Sequence, residues 1–163
     1  MIDTPYLFVR NRRHEVHGNG SSMNTKHIGD TSEAMVISQL IRRGYSVSIP
    51  FGDNDPYDII VDSNAGLYRV QVKTGWIENG CIRFKTYSQT TDGGDSIDRD
   101  YTAKDVDVFA VRCRDTDKCY WVPVSDTGKK NTYLRVEDAH IDHPRIKRAD
   151  TFGFDTNLPS IAP

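Results

Sequence analysis

The stretch YDIIVDSNAGLYRVQVKTG, Tyr57 to Gly75, holds two apolar runs on either side of a small-residue turn, with polar residues at Asp58, Gln71 and Lys73. Read as a hairpin, it contains strands over Asp58–Val61 and Leu67–Lys73 joined by DSNAG. A turn centred between Asn64 and Ala65 sets Asp58 opposite Gln71, and a turn centred one residue later sets it opposite Lys73. Both registers gather the same acid, amide and amine. Because side chains alternate along a strand, Gln71 and Lys73 share one face while Val70 and Val72 point into the core.

A carboxylate beside an amide oxygen suits a hard divalent cation such as Mg²⁺, which takes oxygen ligands and keeps several waters. The Lys73 ammonium cannot be a ligand. It can stabilise charge on a pentavalent phosphorus or position the attacking water, whose pKa a metal lowers. These are the parts of phosphodiester hydrolysis. On spacing alone the same residues also fit a turn aspartate and a solvent-facing Gln-x-Lys.

Working outward, Thr25 to Arg43 carries Ile28, Met35, Val36, Ile37, Leu40 and Ile41 at three- and four-residue steps, which predicts a helix, with Gly44 at its C-terminal cap. Tyr45–Ile49 alternates like a strand, and Pro50–Tyr57 is dense in turn formers. Beyond the hairpin, Asn79-Gly80 signals a turn into a strand over Cys81–Thr86. Ser88–Asp100, polar and containing glycine, reads as a mobile loop near a binding face. Val106–Cys113 and Lys118–Val124 form a further hairpin, with at least one helix covering the first of them. Tyr133, Leu134 and Val136 are weakly patterned, and no element is legible after Asp150. The order predicts an α/β fold on a central mixed β-sheet flanked by helices.

A chain of 163 residues accommodates one domain with a real core. Residues 1–22 read as an N-terminal extension ending in a Gly/Asn/Ser linker, with Met23 a candidate start, residues 23–150 as the domain and 151–163 as a tail. No apolar run reaches the roughly 18 residues of a membrane span and no signal-peptide core is present, so a soluble, cytoplasmic protein is expected. The odd cysteine set, Cys81, Cys113 and Cys119, fits a reducing compartment. The net charge of -2 means that any nucleic-acid contact depends on local basic clusters.

DNDPYDIIV followed by YRVQVKTG resembles the PD-(D/E)XK nucleases, and the preceding helical segment GDTSEAMVISQLIRRGY is similar to the glutamate-bearing helix these enzymes often carry. The resemblance runs from about Thr25 to Val124 and implies a restriction-endonuclease-like core. It casts Asp58 as the metal-binding aspartate, Lys73 as the catalytic lysine and Glu33 as the helical glutamate at the metal or water. Gln71 departs from the usual acid there. The variant with Gln is similar to a branch of group I intron-encoded homing endonucleases and archaeal relatives, which YTAKDVDVFAVRCRDTDKCYWVPVSD also resembles. With Glu33 and Asp58 as the acids, the ligand charge balances one Mg²⁺, for which Mn²⁺ substitutes; Gln71 is then a neutral oxygen ligand or a water-orienting group, and the Val72 carbonyl completes the set. Glu33, three residues after Asp30, also fits a capping box.

What the resemblance implies is a Mg²⁺-dependent DNA endonuclease leaving 5′-phosphate and 3′-hydroxyl ends, of homing type. A Holliday junction resolvase, a restriction-type enzyme and a catalytically lapsed DNA-binding module on the same fold are the alternatives. Cutting both strands needs two sites, so a homodimer or homotetramer is expected. For DNA contact the candidates are Lys85, Tyr87 and Gln89, alternating past the hairpin, and the clusters Lys129, Lys130 and Arg145, Lys147, Arg148, although each such run alone is ordinary solvated surface. Trp76 and Tyr101 read as core or interface. A Cys113, Cys119, His140, His143 zinc set has poor spacing, and the two cysteines read more simply as strand residues facing each other across a hairpin.

Overall fold

The computed structural model describes residues 24–52, 54–92, 95–138 and 143–161. The expected extension, residues 1–22, lies outside them, as does His140. Helix α1 (Thr25–Arg42) begins one turn before its apolar period, because the Asn24 side chain accepts the Lys26 N–H and caps it. Glu33 therefore stands well inside the helix, and the capping-box reading is overturned. Gly44, at φ 89°, supplies the left-handed residue that ends the helix.

Among the described residues nine strands follow: β1 (Ser46–Ser48), β2 (Ile59–Ser63), β3 (Gly66–Glu78), β4 (Cys81–Lys85), β5 (Tyr87–Asp92), β6 (Asp95–Asp100), β7 (Val108–Cys113), β8 (Cys119–Pro123) and β9 (Asn131–Arg135). A second short helix, α2 (Phe154–Asn157), closes the described chain. Seven of these strands form one mixed sheet, in which β3 and β7 pair in parallel and the other paired strands are antiparallel. Arg69 pins that pairing: its Nε donates to Asp107 Oδ2 at 3.1 Å and its Nη2 to Oδ1 at 2.8 Å, a bidentate clamp at the start of β7.

Alternation along β3 divides the core in two. Val70 and Val72 join Val36 and Leu40 of α1, with Val108 and Ala110, in a cluster on the helix side. On the opposite side Phe109 and Val111 pack against Ile82, Phe84 and Leu134. Strands β4 and β9 thus curl over the face that α1 leaves open. Gly75 makes this possible, since a Cβ there would lie 2.9 Å from Ile82 Cγ2 and 3.1 Å from Val111 Cγ1.

Three further expectations are corrected. Ser88–Asp100 contributes a two-stranded hairpin, β5 paired with β6 from Tyr87↔Asp100 to Asp92↔Asp95, and is not a loop. Its polar sequence hid the strands because no alternating apolar face exists to read. The segment after Asp150 is likewise structured: Phe154 is 5% exposed, with its ring 6.2 Å from Trp121, and Asn157 donates to the Trp121 carbonyl at 2.9 Å. Finally, Cys113 and Cys119 do not face each other. The register pairs Cys119 with Arg112, which sends the cysteines to opposite faces and into different clusters. They cannot share a zinc ion.

Candidate active site

The β2–β3 turn is centred between Asn64 and Ala65, as the Ser63↔Gly66 and Ile59↔Val70 pairs require, and this is the register that sets Asp58 opposite Gln71. Strand β2 occupies one edge of β3 up to Val70, and β4 rejoins the same edge only at Trp76. Between them the edge lies open as a fork. Asp58 sits at its apex, donating its N–H to the Val70 carbonyl at 3.0 Å. Its carboxylate caps the next free peptide, with Oδ2 accepting the Val72 N–H at 2.7 Å. The same oxygen accepts the Gln71 amide at 2.6 Å.

Gln71 is only 9% exposed and lies beside Phe109 in the parallel register, and Lys73 lies beside Val111. Both therefore stand on the face opposite α1, at the margin of an apolar cluster. The Val72 carbonyl, on the fork side of β3, receives a long contact of 3.4 Å from the Gln71 amide nitrogen. Lys73 Nζ donates to the Tyr87 carbonyl at 3.3 Å and lies 4.7 Å from the centre of the Tyr101 ring.

Glu33 approaches from α1. The neighbouring Ser32 is buried, and its hydroxyl is 2.6 Å from that of Thr74, a bond that sets the rotation of the helix against β3. Burial raises the Glu33 pKa above the ordinary carboxylate value, and repulsion from Asp58 and then Asp30 adds to it. Burial also raises Asp58, against the lowering effects of the Val72 N–H, Lys73 and the Gln71 amide. Lys73 is lowered to about 8, chiefly by burial, with Asp58 opposing and Lys85 assisting. Two acids held close enough to repel, beside a desolvated ammonium, form a site whose charges are incompletely balanced.

These donors fit a hard cation. Asp58 Oδ1 accepts no hydrogen bond among the described residues, and the Glu33 carboxylate likewise has none. No cluster of three or more His, Cys, Asp or Glu side chains exists among the described residues, so this pair of acids with neutral oxygens is the set available here.

The expected DNA-contact residues fall into two groups. Lys85, Tyr87, Gln89, Lys129 and Lys130 surround the base of the β5–β6 hairpin near Lys73, whereas Lys147 and Arg148 lie at the far end of β9. Several are already engaged. Lys130 bridges Asp98 at 3.2 Å and Asp100 at 3.0 Å; Lys147 reaches Asp126 at 3.4 Å and Arg148 reaches Asp138 at 3.4 Å. Arg145 and Lys129 carry no side-chain partner among the described residues. Sequence reasoning missed Ser32, Thr74 and the contact of Tyr101 with Lys73, because each depends on an encounter between distant segments.

No helix among the described residues is long and apolar enough to cross a membrane. No curated protein sequence matches the chain. The structure is similar to that of a bacterial homing endonuclease, I-Ssp6803I, with a TM-score of 0.66 and 23% identity over 81% of this chain and 90% of that one. A family model described as PD-(D/E)XK endonuclease matches residues 23–155. That match spans the helix, the fork and the start of the tail as far as Asp155, and by it the chain belongs to the PD-(D/E)XK endonuclease family.

Proposed function

We propose that this endonuclease hydrolyses DNA phosphodiesters with a divalent cation, Mg²⁺ or in its place Mn²⁺, and that it is of the homing type. The observation that carries the reading is the fork itself, where Asp58, Gln71 and Lys73 meet on adjoining strands with Glu33 electrostatically coupled to Asp58. Asp58 and Glu33 would hold the cation, with the Val72 carbonyl and the Gln71 amide oxygen as neutral donors. When bound, the cation would acidify water and polarise the phosphate.

The chain's own groups do the rest. Gln71 and the Val72 N–H orient the Asp58 carboxylate, so that one oxygen is occupied and the other is left without a hydrogen bond among the described residues. Lys73, held by burial near neutrality, is suited to stabilise negative charge developing on phosphorus or to orient the incoming water. In this reading the nuclease domain extends past residue 150, because Phe154 packs into the core against Trp121. Homing specificity is supported by Gln at position 71, which the resemblance associates with that branch, and by the similarity in fold to a homing endonuclease. One site per chain requires assembly into a homodimer or homotetramer to cut both strands, in the cytoplasm where its DNA is accessible.

The test is cleavage of a labelled four-way junction, a linear duplex of the same arms and a pool of long duplex DNA, with Mg²⁺ or with chelator. Metal-dependent cutting at discrete sites in long duplex, lost in Asp58→Ala and Lys73→Ala while DNA binding persists, is expected. Cutting of the junction alone would make the protein a resolvase, and cleavage undiminished in Asp58→Ala would overturn the site.

A further inference from the structure

The ammonium of Lys73 is enclosed by the base of the β5–β6 hairpin. Tyr87, the first residue of β5, supplies the carbonyl that Nζ reaches at 3.3 Å. Tyr101, the residue after β6, presents its ring 4.7 Å from the same nitrogen. The pair Tyr87↔Asp100 closes the hairpin between them. Tyr101 is itself fixed, edge-on against Phe109 at 5.6 Å and 83°. Lys130 ties Asp98 and Asp100 of β6 to the body of the protein, and Thr86, just before β5, donates to the Gly128 carbonyl at 2.6 Å. A lysine on four rotatable bonds is thus held from two directions by a base anchored at both of its strands.

We propose that Tyr101 is a positioning residue for Lys73, its ring face and the Tyr87 carbonyl together holding the ammonium at the fork. The assignment rests on the catalytic reading of Lys73 given above. A cation over an aromatic face is attracted by the negative charge of the ring, and the attraction grows as water is excluded. The phenol hydroxyl is not required for it. Tyr101→Phe therefore keeps the function, whereas removing the ring, or withdrawing electrons from it, releases the lysine.

The experiment replaces Tyr101 with Phe and then with mono-, di- and trifluorinated phenylalanines, which keep the ring's shape while weakening its negative face. Cleavage of the pool of long duplex DNA in Mn²⁺ is followed under enzyme excess, with Lys73→Ala as control, beside DNA affinity in Ca²⁺ and the NMR shift of the Lys73 ε-methylene. The expected result is a stepwise fall in cleavage rate from Phe to the trifluorinated ring, about three- to thirtyfold in all, with unchanged affinity. The ε-methylene is expected upfield by ring current in the parent and in Tyr101→Phe, and at its ordinary position in Tyr101→Leu. Rates equal across the fluorinated series, an inactive Tyr101→Phe, or an ε-methylene without a ring-current shift would each overturn the inference while leaving Lys73 catalytic. A parent that does not cleave, or a Lys73→Ala that cleaves equally, would overturn the underlying reading instead.

Discussion

Gln71 donates its amide N–H to Asp58 Oδ2 across 2.6 Å, on the same oxygen that accepts the Val72 N–H. An acid at position 71, the commoner residue in the resemblance, would turn this bond into contact between two carboxylates. The amide lets the fork form without a cation to separate the charges.

Gln71→Glu is accordingly expected to destabilise the metal-free protein by about 1–3 kcal/mol at neutral pH. The new pair raises carboxylate pKa values in the folded state, so the folded protein binds more protons than the unfolded chain and stability falls as pH rises through that range. Lowering the pH lets one proton bridge the pair and removes the deficit. Thermal melts in chelator across pH, and in Mg²⁺, measure both effects; a variant equally stable to the parent at neutral pH in chelator would contradict the contact.

Lys73→Met is expected to stabilise the apo protein while abolishing cleavage. The folded-state pKa of about 8 lies below the ordinary 10.5, so burial of the charged lysine costs stability below pH 8, and the cost fades as pH climbs toward 10.5. Removing the charge recovers about 1–3 kcal/mol at pH 7, less whatever the Tyr87 and Tyr101 contacts contribute. Denaturant melts at pH 7 and pH 10 check the sign: the advantage of the Met variant must shrink at the higher pH.

Phe154→Ala is expected to cost about 3–4 kcal/mol, since the ring is buried against Trp121 beneath the sheet. Truncation after Asp150 should cost at least as much. Urea unfolding of the two variants decides whether the C-terminal segment belongs to the folding unit; unchanged midpoints would contradict the packing.

Lys130 and Arg145 are expected to behave differently on DNA. The Lys130 ammonium is committed to Asp98 and Asp100, so Lys130→Ala loosens the β5–β6 hairpin and lowers cleavage more than affinity. Arg145 has no side-chain partner among the described residues, and its loss should reduce the salt dependence of binding by about one phosphate contact. Binding titrations from low to moderate salt separate the two, and an Arg145→Ala with the parent slope would remove it from the DNA track.

How far the sequence could be read follows from where the information lies. Helix α1 was legible because its burial repeats every three to four residues, and the β2–β3 hairpin because each strand has a buried face and the turn is short. Those local periods bring Asp58, Gln71 and Lys73 together in either of two registers, of which the structure holds the one that pairs Ile59 with Val70. The β5–β6 hairpin was not legible, since its polar strands carry no alternating apolar face, and neither was the docking of Phe154, a single aromatic in an unpatterned tail.

The sequence by itself thus determined the strand pair and the residues gathered at its fork, because alternation and turn length are properties of neighbouring residues. Only the tertiary structure decided which register holds, that Glu33 lies inside its helix within electrostatic reach of Asp58, that Tyr101 covers Lys73, and which surface cations are already paired. Each of those rests on contact between segments far apart in the chain, and such contacts are set by how the layers pack.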